Sequence, residues 1–105
     1  MIRPVVFGAL ITVLALAAVG DAPPAPRVEI IQFKFEPAQL AVPVGATVTW
    51  INDDQETHTV TAIDRTYTST GLEHAEIFSH RFTAAGTYTY FCALHPHMTA
   101  TVVVR

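Results

Sequence analysis

The chain has 105 residues, enough for one domain of modest size. Six Lys and Arg against nine Asp and Glu give a formal net charge of −3 with His neutral, which argues against nucleic-acid binding, because surfaces that bind nucleic acids are strongly basic. The single cysteine, Cys92, excludes an intramolecular disulfide.

The first 20 residues predict a signal peptide rather than part of a fold. Arg3 gives a positive start, residues 5–19 form an uncharged apolar run, and Ala18-Val19-Gly20 supplies small residues at a cleavage site. The run is shorter than the about 20 residues of a membrane-spanning helix, which favours cleavage over a retained anchor. We therefore expect a periplasmic or secreted protein, with anchoring through residues 5–19 as the alternative.

Residues 21–27 begin Asp-Ala-Pro-Pro-Ala-Pro and predict a stiff linker, followed by one domain over 28–105. Runs rich in Thr, Val, Ile, Phe and Tyr alternate there with turn residues, a pattern typical of an all-β sandwich or barrel. Residues 64–75 are predicted as a loop with a short strand around Tyr67. Strands are predicted at 28–35, 39–42, 46–51, 57–63, 76–83, 87–92 and 99–104.

The first predicted strand changes its parity between Ile30 and Phe33. A slip of one residue indicates a β-bulge or a strand that passes between two sheets. We expect one of these two irregularities.

Alternation along two later strands predicts that a histidine and the cysteine point inward. His58 shares its parity with Val60 and Ala62 at one end of its strand, and Cys92 shares its parity with Tyr90. Both side chains are therefore predicted to reach the interior.

The segment Cys92-Ala-Leu-His95-Pro-His-Met98 places a thiolate, an imidazole and a thioether at every third position between the last two strands. Such soft donors select copper or zinc, and one Cys with two His and a weak Met is the ligand set of an electron-transfer copper site. Pro96 restricts the backbone of His95. The inward His58 is the candidate second imidazole. The alternatives are a small buried cysteine, an interior histidine and a methionine packed in the core.

Three further histidines are predicted to lie outside this donor set. His80 shares its parity with Phe78 and Phe82, which predicts a packed or half-buried ring. His74 is predicted as solvated surface. His97 is predicted to point outward as inert surface, with tuning of a reduction potential or contact with a partner as alternatives.

Five motifs within 28–105 carry a resemblance to a known family: Phe35-Glu-Pro37, Gly45-Ala-Thr-Val-Thr-Trp50-Ile-Asn52, His58-Thr-Val60, Phe82-Thr-Ala-Ala-Gly86-Thr-Tyr88-Thr-Tyr-Phe-Cys92 and Cys92-x-x-His95-Pro-x-Met98. With them the chain resembles the small blue copper proteins (cupredoxins), and among these the amicyanin- and plastocyanin-like group. The resemblance implies a Greek-key β-sandwich of about seven or eight strands with one type 1 copper ion at one end. The implied ligands are His58, Cys92, His95 and Met98. The first three would be equatorial, and the methionine would be the long axial ligand.

The function implied is that of an electron carrier, not an enzyme. It would pass single electrons between redox partner proteins outside the cytoplasm, bind no small-molecule substrate and act as a monomer. Copper storage or delivery is the alternative. A catalytic nucleophile at Cys92 has no orienting motif beside it, and methionine is an unusual ligand for structural zinc.

The resemblance also implies an electron port where the C-terminal His ligand protrudes through an apolar patch, with Leu94 and Pro96 at its rim. Three positions depart from the family pattern. Thr59 stands where an asparagine is common and Ala93 where a hydroxyl residue often follows the cysteine, so a hydrogen bond usual in the family is expected to be missing or rerouted. His97 replaces an apolar residue, so the surface that contacts partners is expected to differ.

Overall fold

The computed structural model describes residues 2–5, 8–9 and 25–105. Most of the predicted signal peptide, and residues 21–24 of the predicted linker, lie outside this part of the chain. Among the described residues there is no helix of the length and apolar character that crossing a membrane requires.

Residues 25–105 form two packed sheets of four strands each and no helix, which confirms the predicted all-β sandwich. One sheet has the strand order β2-β1-β4-β6 and the other β3-β8-β7-β5. The strands are β1 (Arg27–Ile31), β2 (Lys34–Glu36), β3 (Gln39–Val42), β4 (Thr47–Asn52), β5 (Thr61–Ala62), β6 (Ile77–Arg81), β7 (Gly86–Cys92) and β8 (His95–Val104).

The core between the sheets is built from the alternate residues of these strands. Trp50 on β4 and Tyr90 on β7 are both fully buried, and their rings meet edge to face with centroids 5.4 Å apart. Large aromatic side chains of this kind supply much of the buried apolar area of a small domain. β1 runs parallel to β4, and β3 runs parallel to β8, so both sheets join segments that are distant in the chain.

The predicted strand at 28–35 is a hairpin rather than one strand. β1 and β2 pair antiparallel in the same sheet, with Ile31 opposite Lys34. The turn between them is Gln32-Phe33, whose φ angles are 52° and 57°. Two residues with positive φ are typical of the tight turns that suit the twist of a hairpin. The change of parity is therefore the turn itself, and the predicted bulge or sheet crossing is wrong.

The strand predicted at 57–63 is much shorter in the structure, where only Thr61–Ala62 forms β5. His58 instead makes an isolated bridge with Leu72, and Thr61 bridges Thr68, close to the short strand predicted around Tyr67. The inward position of His58 is confirmed, since its side chain is fully buried.

The last strand begins at His95, four residues before the predicted start at Thr99. The turn that joins it to β7 is therefore only Ala93-Leu94, and the pairing register shifts between Phe91 and Cys92. Residues 95–98 thus belong to β8, but 96–98 form an irregularity in the pairing, because Cys92 pairs with His95 and Phe91 with Thr99.

Candidate metal centre

Cys92 and His95 face each other across the β7–β8 hairpin. Cys92 is the last residue of β7 and pairs with His95, the first residue of β8. The Sγ atom of Cys92 lies 3.5 Å from Nδ1 of His95. The hairpin alone therefore places two of the predicted donors side by side.

His58 reaches the same point from the segment between β4 and β5, whose backbone Asn52 anchors. Asn52 is fully buried, and its Nδ2 donates to the carbonyl oxygens of Glu56 and Leu72, both at 2.8 Å. The backbone N–H of His58 donates to the carbonyl of Leu72 at 3.1 Å, and the N–H of Leu72 returns a bond of 2.7 Å. The backbone of His58 is thus fixed with its ring directed inward.

Two of the three spacings between the donor atoms, those from Cys92 to His58 and to His95, match the spacing around one small metal ion. Nδ1 of His58 lies 3.7 Å from Sγ of Cys92, and the donor atoms of His58, Cys92 and His95 all lie within 4.8 Å of one another. A metal bonded to sulfur and nitrogen at about 2.0–2.3 Å needs donors roughly 3.3–4 Å apart. Cys92 and His58 are fully buried, whereas His95 is half-buried.

Met98 lies on the face of β8 that points into the core, with 3% of its surface exposed. It follows His95 by three residues, so its thioether belongs to the same short segment as two of the donors. A thioether added to a thiolate and imidazoles favours copper over zinc. The chemistry of the donor set therefore fits copper.

Thr59 links the two segments that carry the donors. Its backbone N–H donates to Sγ of Cys92 at 3.3 Å, and its hydroxyl oxygen accepts a bond of 2.8 Å from the N–H of Ala93. The resemblance implies that a hydrogen bond usual in the family is missing or rerouted here. The structure shows a rerouted bond, which the hydroxyl of Thr59 accepts from the N–H of Ala93. This bond joins Thr59, which follows His58, to Ala93, which follows Cys92.

The far edge of the His58 ring is fixed by Asp54. Oδ2 of Asp54 accepts a bond of 2.8 Å from Nε2 of His58. The same carboxylate accepts two backbone N–H groups of the β1–β2 turn, from Gln32 at 2.7 Å and from Phe33 at 2.9 Å. With its proton on Nε2, His58 presents the lone pair of Nδ1 towards Cys92, which is the tautomer that a metal at this point requires.

The charge of Asp54 is stabilised by the same contacts. Partial burial alone would raise the pKa of this carboxyl group, but the hydrogen bonds from Phe33 N–H, from His58 and from Gln32 N–H outweigh it. The pKa of Asp54 therefore lies below its ordinary value. A carboxylate that keeps its charge is a strong acceptor for the imidazole proton.

Phe33 packs against both imidazoles. Its ring centroid lies 5.1 Å from that of His58 and 5.0 Å from that of His95, with interplanar angles of 90° and 86°. Neither Phe33 nor Asp54 was predicted from the sequence to contact the metal centre. For Phe33 the sequence offered one signal: it is apolar, but it does not share the alternation of the buried Val28 and Ile30 on β1.

The exposed side chains beside His95 form a partly apolar rim. Leu94 is 54% exposed and Phe33 is 42% exposed, while Pro96 and His97 are also exposed. The predicted outward position of His97 is confirmed, and the alternatives for its role remain predictions. The structure thus places an apolar surface next to the one donor that reaches towards solvent.

The other two histidines lie where the sequence predicted. His80 is half-buried and stacks on Tyr67, with centroids 4.1 Å apart and an interplanar angle of 22°. His74 is exposed, and its Nδ1 lies 3.1 Å from the carbonyl oxygen of Asp54. Neither ring belongs to the converging donor set.

Comparison with known proteins shows sequence similarity to amicyanins over most of the chain. Amicyanin of Paracoccus denitrificans is 39% identical over 83 residues, which cover 74% of this chain and 63% of that protein, so the chain spans less than two thirds of this relative. Amicyanin-alpha of Methylorubrum extorquens is 33% identical over 97 residues, covering 87% of this chain and 82% of that protein.

The fold and the sequence lead to the same family. A purple cupredoxin from Nitrosopumilus maritimus has a TM-score of 0.73 and 31% identity, and the match covers 76% of this chain and 99% of that chain. The family model of the cupredoxin-like domain matches residues 4–104. The chain therefore belongs to the family of cupredoxin-like domains.

Proposed function

We propose that this protein is an electron carrier with one type 1 copper ion. The observation that supports the proposal is the convergence of Sγ of Cys92 with the ring nitrogens of His58 and His95 within 4.8 Å. These three residues would be the strong ligands, and Met98 the weak axial ligand. Copper at this point would supply a one-electron couple between Cu(II) and Cu(I).

The contacts around the donors favour electron transfer over copper storage or delivery. Asp54 fixes the ring of His58 through Nε2, and Thr59 binds Sγ of Cys92. Donors restrained in this way have little freedom to rearrange when the charge of the metal changes. Delivery requires donors that release the metal easily, whereas a carrier needs donors that stay in place.

We propose that the electron passes through the half-buried ring of His95 to redox partner proteins. The exposed Leu94, Pro96 and Phe33 beside it form a surface suited to a transient contact. The protein would act as a monomer, without a small-molecule substrate and without enzymatic turnover. The identity of the partner would depend on the charges and shape around this rim.

We propose that residues 1–20 direct export and are then removed, that 21–27 form a linker, and that 28–105 are the copper-binding domain. The positive start and the apolar run of 5–19 support this assignment. The protein would work in the periplasm or as a secreted protein. The N-terminal sequence of protein recovered from a bacterial host tests it, because an intact Met1 on membrane-bound protein would instead support a retained anchor.

Visible absorbance and EPR spectra of the oxidised, copper-loaded protein test the function. We expect an intense blue thiolate-to-copper charge-transfer band. Cys92→Ser should abolish the colour while the metal-free protein stays folded, and His74→Ala, a histidine outside the donor set, should keep it. A colourless wild-type protein that releases copper readily would support storage or delivery instead. Colour retained by Cys92→Ser would mean that the sulfur ligand is wrongly assigned.

A further inference from the structure

Three threonine hydroxyls form a continuous chain that starts at the metal centre. Oγ1 of Thr59 lies 2.9 Å from Oγ1 of Thr61, which lies 2.9 Å from Oγ1 of Thr68. The N–H of Ala93 donates to the first hydroxyl at 2.8 Å, and the last donates to the carbonyl of Ser69 at 3.2 Å. Thr59 and Thr61 are buried, with 8% and 3% of their surfaces exposed, whereas Thr68 is exposed.

The hydrogen bonds in this chain can all run in one direction, from Thr59 to the carbonyl of Ser69. A hydroxyl has a single proton to donate. In this arrangement Thr68 gives its proton to the carbonyl of Ser69, and the proton between Thr61 and Thr68 comes from Thr61. The proton between Thr59 and Thr61 must then come from Thr59, whose oxygen is left to accept from Ala93.

This direction affects the backbone next to the cysteine. Hydrogen bonds that follow one another in the same sense polarise each other, so each added bond strengthens the one before it. The oxygen of Thr59 is therefore a better acceptor for the N–H of Ala93 than an isolated hydroxyl would be. Thr59 also donates its own N–H to Sγ of Cys92 at 3.3 Å, so it binds both the sulfur and the peptide that follows it.

We propose that Thr61 and Thr68 orient the hydroxyl of Thr59, and through this hydroxyl position the peptide that follows the Cys92 thiolate. A residue on β5 would thereby influence the metal centre from outside the donor set. The part of this proposal that concerns copper rests on the proposed function. The part that concerns the hydrogen bonds is independent of any metal.

Amide hydrogen exchange in the metal-free protein tests the hydrogen-bond chain. Thr61→Val keeps the side-chain shape but removes the acceptor for the proton of Thr59. We expect exchange at the N–H of Ala93 to accelerate roughly twofold relative to that of Val102 in the same sample, because the bond to Thr59 is weakened rather than lost. Thr61→Ser should restore the wild-type rate. Unchanged exchange at Ala93 in Thr61→Val would overturn the proposal.

Two further variants serve as control and as a second test. Thr49→Val breaks a hydroxyl pair with Ser79, of 2.8 Å, in the other sheet, and should leave the exchange of Ala93 unchanged. If Thr61→Val does not fold, Thr68→Val at its exposed position interrupts the same chain. Faster exchange at Ala93 is again expected there, and an unchanged rate would again overturn the proposal.

The copper-loaded variants test the effect on the thiolate. In Thr61→Val the charge-transfer band and the reduction potential should shift, and Thr61→Ser should return both to the wild-type values. An unshifted band together with faster exchange at Ala93 would overturn the positioning role. A colourless wild-type protein would overturn the proposed copper function, while the exchange rates of the metal-free variants would still decide whether the hydrogen-bond chain exists.

Discussion

Nε2 of His58 donates to the carboxylate of Asp54 at 2.8 Å, and the same carboxylate accepts the backbone N–H of Phe33 at 2.9 Å. One acidic side chain therefore fixes the ring of a proposed metal ligand and the turn that carries the aromatic ring packed against it. Asp54 belongs to the segment after β4, whereas Phe33 belongs to the β1–β2 turn. The carboxylate thus joins two separate parts of the chain at the metal centre.

Asp54→Ala should weaken both the fold and copper binding, because it leaves a buried imidazole N–H and two backbone N–H groups without their acceptor. We expect the free energy of unfolding of the metal-free protein to fall by about 2–3 kcal/mol. Copper affinity should fall roughly 10–100-fold, as for the loss of an outer partner of a metal-bound histidine. Urea unfolding and competition with a copper chelator measure the two effects.

Asp64→Ala is the matched control for this variant. The carboxylate of Asp64 accepts bonds only within an exposed turn, from the N–H of Thr66 at 3.0 Å and from its hydroxyl at 2.7 Å. Its removal should change stability by no more than about 0.5 kcal/mol and leave copper affinity unchanged. Equal copper affinities of Asp54→Ala and wild type would contradict the role assigned to Asp54.

Phe33→Ala should loosen the imidazole rings of His58 and His95. Each edge-to-face aromatic contact contributes about 0.5–1.5 kcal/mol and the variant loses two, so copper should pass to a chelator at least roughly fivefold faster. The measurement is the rate at which the blue colour is lost after the chelator is added. Phe33→Tyr keeps the ring and its edge contacts and should release copper at the wild-type rate. Equal rates of copper release from Phe33→Ala and Phe33→Tyr would show that the contact of Phe33 with the two imidazoles does not hold the metal.

His80 should make the stability of the metal-free protein depend on pH. Burial lowers the pKa of His80 below its ordinary value of 6.5, so the charged ring is more stable in the unfolded chain than in the fold. The contribution of His80 to stability is therefore complete above pH 6.5 and is lost as the pH falls through this value towards the lower pKa of the folded state.

Urea unfolding at about pH 7.5 and about pH 5, on either side of the ordinary imidazole pKa, measures this effect. The matched variant is His80→Phe, which keeps an aromatic ring against Tyr67 and cannot be protonated. It should lose less stability than wild type over this range, and the other histidines contribute to both proteins alike. Identical losses in the two proteins would show that His80 does not carry the effect.

Gly45→Ala should destabilise the fold without affecting the metal centre. Gly45 has φ of 90°, in the region that disfavours residues with a Cβ atom, and it precedes β4 at the end opposite Asn52. We expect a loss of about 1–2 kcal/mol in urea unfolding and an unchanged visible spectrum. Gly86→Ala, where φ is not in that region and the nearest atom to an added Cβ is 3.4 Å away, should change stability little. A similar loss in both variants would refute the argument from φ.

The proposed ligands could be predicted from the sequence because most of the information about them is local. Cys92, His95 and Met98 lie within seven residues, so their spacing alone indicates soft-metal chemistry. His58 was found by the parity of its strand, although the structure weakens that reason. Thr59 and Thr61, which alternate with His58, are buried as well, so both faces of this segment are buried and alternation does not distinguish them.

Asp54 and Phe33 could not be predicted, because their meeting depends on pairing between distant strands. β1 lies parallel to β4 with Ile30 opposite Asn52, and this register brings the turn after β1 beside the segment after β4. The turn itself was missed because Gln32-Phe33 lacks the Asn and Gly residues that usually occupy such turns. The register between β1 and β4 cannot be deduced from the residue pattern of either strand alone.

The two-residue turn between β7 and β8 also has a consequence for how metal binding and folding depend on each other. Cys92 and His95 are three positions apart in the chain, whereas His58, 34 positions from Cys92, is brought to them by the folding of the sandwich. A metal that binds all of these donors binds the native state more tightly than the unfolded chain, and the difference adds to the stability of the domain. Loss of the ion would therefore lower the free energy of unfolding and increase the fraction of the domain that is open to proteolysis.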